Sequence, residues 1–168
     1  LDYYNVKEIF EMMNGSSYTV IVRGLESENA ENSYKDINLK KIEEEYGVEI
    51  PSITGFSGRI IGGQGYKDKD TNQDVKIIAE NNFITSVGQG FSIEDLTILY
   101  TGTDSNIELE DDGQGNAGLL IQSAADEINI SNVTLKIQKP IVANSNKFSG
   151  TSIKIGVVAQ RLSSFSIT

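Results

Sequence analysis

Apolar and polar residues alternate most clearly over 91–98, F-S-I-E-D-L-T-I, and the pattern returns over 128–135 as I-N-I-S-N-V-T-L. It starts a third time at 165–168, F-S-I-T, so Phe91, Ile128 and Phe165 stand 37 residues apart. Alternation of this kind predicts a half-buried strand rather than a helix. The phase breaks at Glu94-Asp95 and again at Ser131-Asn132. An Asp or Asn at such a break can bond to its own backbone and bend the chain. Each copy therefore reads as a short strand, a bend and a second short strand, repeated at a fixed period.

Further strands keep step with this pair. Apolar runs at 83–87, 118–121 and 156–159 lie upstream of the three copies, and runs at 75–78, 106–109 and 152–155 lie upstream of those. Three short strands per 37-residue unit predict an all-β fold: a right-handed parallel β-helix of about three coils. Ile93, Ile130 and Ile167 should then occupy equivalent inward places. The competing reading is an antiparallel sandwich of short strands at regular spacing, which gives no reason for the strand order to recur.

The amino-terminal stretch has another period. Val6, Ile9, Phe10 and Met13 follow the i, i+3, i+4, i+7 spacing of one helix face, with Asp2 or Asn5 as cap and Asn14-Gly15 as stop. A helix over 5–14 is predicted to cover the open end of the coils, the alternative being a helix packed on the side of the sheet. Residues 18–23, Y-T-V-I-V-R, are a strand. Residues 26–36 carry one aromatic and no branched aliphatic, and read as a loop. Over 37–50 the residues fit either a short helix (Leu39, Ile42, Tyr46) or a strand (Ile37, Leu39), ended by Pro51. A Gly-punctuated strand pair at 53–63 opens the coils. One domain over 1–168 results, with a helix-strand cap at 1–24, a loop and linker region at 25–52 and coils at 53–168. The incomplete third copy at 165–168 predicts a piece of a longer protein, or end-to-end self-association through its unpaired strand edge.

An amphipathic helix, a Y-T-V-I-V strand, the F-S-G-x-I-x-G element at 56–62, and G-L-L and G-V-V strands leading into I-x-I-x-N-V-T-L resemble the pectate-lyase-like β-helices of bacterial cell surfaces. More narrowly, the chain is similar to the modules with Gly-Leu-x-Gly motifs in adhesins and in the amino-terminal parts of immunoglobulin-A-cleaving metallopeptidases. Gly118 and Gly156 match the motif's first glycine, but Ile121 and Ala159 replace its second. The resemblance implies an extracellular or cell-surface stalk or binding module, with a host or matrix glycan or protein as partner and no catalytic residue.

Charge changes the picture more than overall composition does. The net charge is −10, and between Lys76 and Lys136 there is no Lys or Arg while ten carboxylates occur. Such a surface repels phosphates, so nucleic acid and anionic lipid are excluded as partners. No apolar run is long enough to span a bilayer, so no membrane insertion is expected. The absence of histidine removes Ser-His-Asp triads and histidine metal sites, and the absence of cysteine removes thiol chemistry and disulfides.

Two acidic groups are candidate calcium ligands. Asp68, Asp70, Asn72 and Asp74 place oxygens at alternate residues, as in the first half of a calcium loop, although Gln73 stands where that loop has glycine. Glu108, Glu110 and Asp112, with Asp111 between them, form the second group ahead of Gly113. For both, a solvated acidic turn is the plainer reading. The expected function is a non-catalytic adhesin or stalk of a bacterial surface. The rival is a fragment of a β-helical polysaccharide lyase or glycoside hydrolase, for which Arg59 and Arg161 would be the available bases.

Overall fold

The computed structural model describes residues 1–81, 83–101, 128–137 and 165–167. A 3-10 turn at Tyr3–Asn5 leads into α1 (Val6–Met13). The Asp2 N–H donates to Asn5 Oδ1 at 2.9 Å across the helix start. α1 buries Val6, Phe10 and Met13, three of the four residues its spacing singled out, while Ile9 stays half-buried, and Phe10 stacks on Phe83 with ring centroids 6.2 Å apart. Gly15 follows the helix at φ +63°.

Among the described residues nine short strands follow, all paired in parallel. β1 (Thr19–Ile21), β3 (Arg59–Ile61), β5 (Ser92–Glu94), β7 (Ile128–Ser131) and β9 (Phe165–Ile167) form one sheet in that order. β2 (Ile37–Asn38), β4 (Ile77–Ala79), β6 (Thr97–Tyr100) and β8 (Thr134–Ile137) form the other. Successive strands thus alternate between the sheets as the chain advances. Registers follow the 37-residue period: Ile93 is opposite Ile130, Ile130 is opposite Ile167, and Ile98 is opposite Leu135. The pairing between the repeated segments is parallel, and the inward stacking of Ile93 and Ile130 is as the alternation predicts.

The core lies between the sheets. Val20, Ile60, Ile93 and Ile130 line one wall in successive strands, and Ile37, Ile77 and Ile98 line the other. Phe56 meets Phe91 edge-on at 6.0 Å between them. A β-branched aliphatic stacked on its neighbour one strand away has little rotamer freedom to lose, which favours repeating Ile at these places.

The all-β expectation, a right-handed parallel β-helix of about three coils with a single capping helix, is corrected by this arrangement. The described fold is mixed α/β, with two eight-residue helices beside two parallel sheets. The second helix, α2 (Leu39–Tyr46), stands in the stretch expected to be loop and linker. Asn38 ends β2 and accepts from the Lys41 N–H at 3.1 Å, so one residue stops the strand and caps the helix. Gly47 at φ +62° closes it and donates to Glu43 O. Both readings of 37–50 were partly right: strand, then helix.

Nor do the described residues form a third sheet. Residues 53–56 and 83–87 meet only through isolated bridges, Ile53 with Ile84 and Phe56 with Val87. The reason is local. The Gly55 N–H donates to Ser86 Oγ at 2.8 Å instead of to a main-chain carbonyl, and Gly55 itself sits at φ +64°. A side chain takes the ladder's place there, and no strand propagates.

Candidate functional site

The 68–74 loop is placed completely. Asp68 is buried, and its carboxylate accepts four hydrogen bonds: Asp36 N–H at 2.9 Å, Asp70 N–H at 3.0 Å, Thr71 N–H at 2.9 Å and Thr71 Oγ1 at 3.1 Å. Burial pushes this carboxyl up, but the Asp36 and Thr71 donors outweigh it and hold it below the usual carboxylate range. Asn72 adopts φ +55°, the left-handed turn that Asn tolerates. Asp74 is taken by Lys67, and Asp70 is exposed. The alternate oxygens thus organise a turn and an ion pair. Among the described residues no group of three or more acidic side chains is placed to hold a metal ion. Glu108, Glu110, Asp111 and Asp112 lie outside the described residues.

Around this loop the fold builds ion pairs between segments far apart in sequence. Glu26 Oε1 meets Lys35 at 2.6 Å, and its Oε2 accepts from Lys69 and Ser33, each at 2.7 Å. The Lys35 hydrogen bond, then those of Lys69 and Ser33, bring the Glu26 carboxyl down to about 2. Asp36 pairs with Lys76 across the β2–β4 junction and also accepts from its N–H at 3.0 Å. Asp2 is buried and held by Arg23 and by the Leu25 N–H at 3.0 Å. Burial raises its carboxyl, yet those two bonds win and lower it.

A polar network crosses the outer face of the five-stranded sheet. Asn129 Nδ2 donates to Ser92 Oγ at 3.0 Å, Ser92 Oγ donates to Glu94 Oε1 at 2.6 Å, and Arg59 Nη2 donates to Glu94 Oε2 at 3.0 Å. The Ser92 and Arg59 bonds lower the Glu94 carboxyl. Stacking does bring Arg59 to the acidic segment, one strand away, but delivers it to a carboxylate as an ion-pair partner. Arg161 lies outside the described residues.

One surface feature had no counterpart in the sequence reading. A groove of about 410 Å³ runs between α1 and β1, lined among others by Ile9, Met12, Tyr18, Thr19, Ile21 and Tyr66. Of the four large apolar residues exposed among the described residues, three line it: Met12 at 48%, Tyr18 at 55% and Ile21 at 44%. The signal was present in part, since Ile21 is an outward residue of an obvious strand and the exposed Tyr18 directly precedes β1. Only the edge position of β1 and the helix beside it turn them into a groove.

No family model, curated protein or solved structure matches the chain. Among the described residues, no helix is long and apolar enough to cross a membrane.

Proposed function

We propose that the chain is a non-catalytic spacer and binding module of an extracellular bacterial surface. The reading rests on one observation: the carboxylates the fold positions most firmly are spent on structure. Asp2, Glu26, Asp68 and Glu94 are all lowered by hydrogen bonds or by cationic partners. A carboxylic acid that protonates a glycosidic oxygen needs the opposite shift. Arg59, one of the two bases available to a lyase, is paired to Glu94. Parallel strands in a repeating register suit a stiff support whose outer face carries the contacts.

The test pairs binding with chemistry. The full chain is printed against glycans and matrix proteins, and is separately incubated with pectin, alginate and glycosaminoglycans in calcium. Saturable binding without release of new sugar ends is the expected result. Release that scales with protein and disappears in Arg59→Ala would replace this reading with the lyase.

A further inference from the structure

The chain contains one Asn-Gly pair, Asn14-Gly15, at the stop of α1, and both residues are exposed. The pair grips Thr54 from two sides. Asn14 Oδ1 accepts from the Thr54 N–H at 2.8 Å, and the Gly15 N–H donates to Thr54 O at 3.0 Å. The same run continues with the Ser57 N–H on Ser16 O at 2.9 Å and the Arg59 N–H on Tyr18 O at 3.0 Å. An asparagine side chain therefore supplies the first rung of the ladder that becomes β1 against β3.

Asn-Gly is also the pair best suited to react with itself, because glycine has no side chain to shield its nitrogen. Once its proton is given up to solvent, the Gly15 nitrogen can bond to Asn14 Cγ, and the side-chain nitrogen takes a proton and leaves as ammonia. Water then opens the cyclic imide at either carbonyl. Opening at the former side-chain carbonyl leaves aspartate. Opening at the main-chain carbonyl leaves isoaspartate, with the chain now running through Cβ and Cγ. Two features of the fold hold this reaction back. Ring closure needs Gly15 N on the Cβ side of the Cα–C bond, and ψ 121° at Asn14 turns it away. The Gly15 proton is also committed to Thr54 O. Rotation at Asn14 breaks that bond, so attack waits on local release of the clamp.

We propose that Asn14-Gly15 is a self-modification site gated by its grip on Thr54, and that isoaspartate formed there keeps the end of α1 released. Aspartate at position 14 still has an oxygen for the Thr54 N–H. Isoaspartate lengthens the main chain by one carbon ahead of Gly15 N, so acceptor and donor no longer span Thr54 together. Each opening thus risks a change that cannot be undone by reclosing, at the point where the helix is joined to the 53–57 segment.

The proposal does not depend on what the module binds. The full chain is aged in mildly alkaline buffer with and without denaturing urea, and position 14 is followed by peptide mapping and by isoaspartyl methyltransferase labelling. Conversion at Asn14 is expected in urea, and about tenfold or more slowly in the folded chain. Phe10→Leu, which removes the stack of α1 on Phe83, should speed conversion in native buffer but not in urea. The isoaspartate-bearing chain, separated after ageing, should melt below the Asn14→Asp variant, and this comparison decides the matter if Phe10→Leu does not fold. No conversion in urea, or equal rates with and without it, overturns the proposal. So does a Phe10→Leu rate equal to that of the wild type in native buffer, or equal melting of the isoaspartate form and Asn14→Asp.

Discussion

Asn132 donates from Nδ2 to Asp95 Oδ1 at 2.8 Å, and both residues hold φ at +51°. They are 37 residues apart and end equivalent strands, so the bond ties one unit's bend to the next. Left-handed backbone costs about 1–2 kcal/mol for most residues but little for glycine. Asn132→Val should therefore lower stability by about 1–3 kcal/mol, the strain plus the lost bond. Asn132→Gly, which loses the bond alone, should fall clearly less. Urea denaturation of the two variants checks this, and equal losses would mean that the backbone at 132 is not held left-handed.

Ile93 is fully buried between Ile60 and Ile130 in the same register line. Truncation to Ala should cost about 2–5 kcal/mol, since strands on both sides keep the cavity from collapsing. Outward Ile61→Ala, on the neighbouring strand and half-buried, should cost much less. Similar costs at the two positions would contradict the assignment of faces.

Acid should dismantle the Glu26 cluster. Its carboxyl is at about 2 in the fold against an ordinary 4.5, so the stabilisation is complete above about 4.5 and is lost as pH falls toward 2. Asp2, Asp68 and Glu94 are displaced in the same direction and reinforce the loss. The melting temperature should decline through that window, and Glu26→Gln should make the decline shallower. Superimposable acid limbs for wild type and variant would show that Glu26 is not the titrating group.

Calcium offers a test of the 68–74 loop. With four donors on its carboxylate, Asp68 has little left for an ion, so Asp70→Ala with Asp74→Ala should leave any calcium-induced shift in melting temperature unchanged at matched ionic strength. Asp68→Asn should destabilise by about 1–3 kcal/mol with or without calcium, because an amide cannot accept from both sides of that turn. A calcium response that vanishes in the double variant would make the loop an ion site after all.

Close approach of β1 to the chain ahead of β3 depends on Gly58. A Cβ placed there would meet Tyr18 O at 2.0 Å and Ser17 C at 2.7 Å, both main chain. Gly58→Ala should push β1 off β3 and lower the melting temperature markedly. A variant as stable as wild type would show that the two segments can separate freely.

The repeat made half of this legible. Two copies of one pattern 37 residues apart predicted that β5 pairs with β7 and β6 with β8, and the same spacing placed β9. The α1 face was equally readable, because its apolar spacing is uninterrupted. What failed had specific causes. Ile37 and Leu39 fitted a strand while Leu39, Ile42 and Tyr46 fitted a helix, and only the Asn38 cap decides where one yields to the other. The 83–87 run looked like a strand, but whether it gains a ladder depends on Ser86 answering Gly55 from 31 residues away. The ion pairs were hidden for a related reason. Asp36 with Lys76 and Glu26 with Lys69 join residues 40 and 43 apart, offsets set by how early units stack and not by the 37-residue period.

The neighbour-only order of the sheets has a consequence for biosynthesis. Thr19 pairs with Arg59, Arg59 with Ser92, Ser92 with Asn129 and Asn129 with Ser166, so each pairing waits only for the next stretch of chain. Loop closure of this size grows little from one step to the next, and no step requires the two termini to meet. A ribosome releasing the chain from its amino end supplies α1 and β1 as a ready template, and each emerging strand docks on the one before it. Folding can then keep pace with translation, with each of the two sheets growing at a single edge.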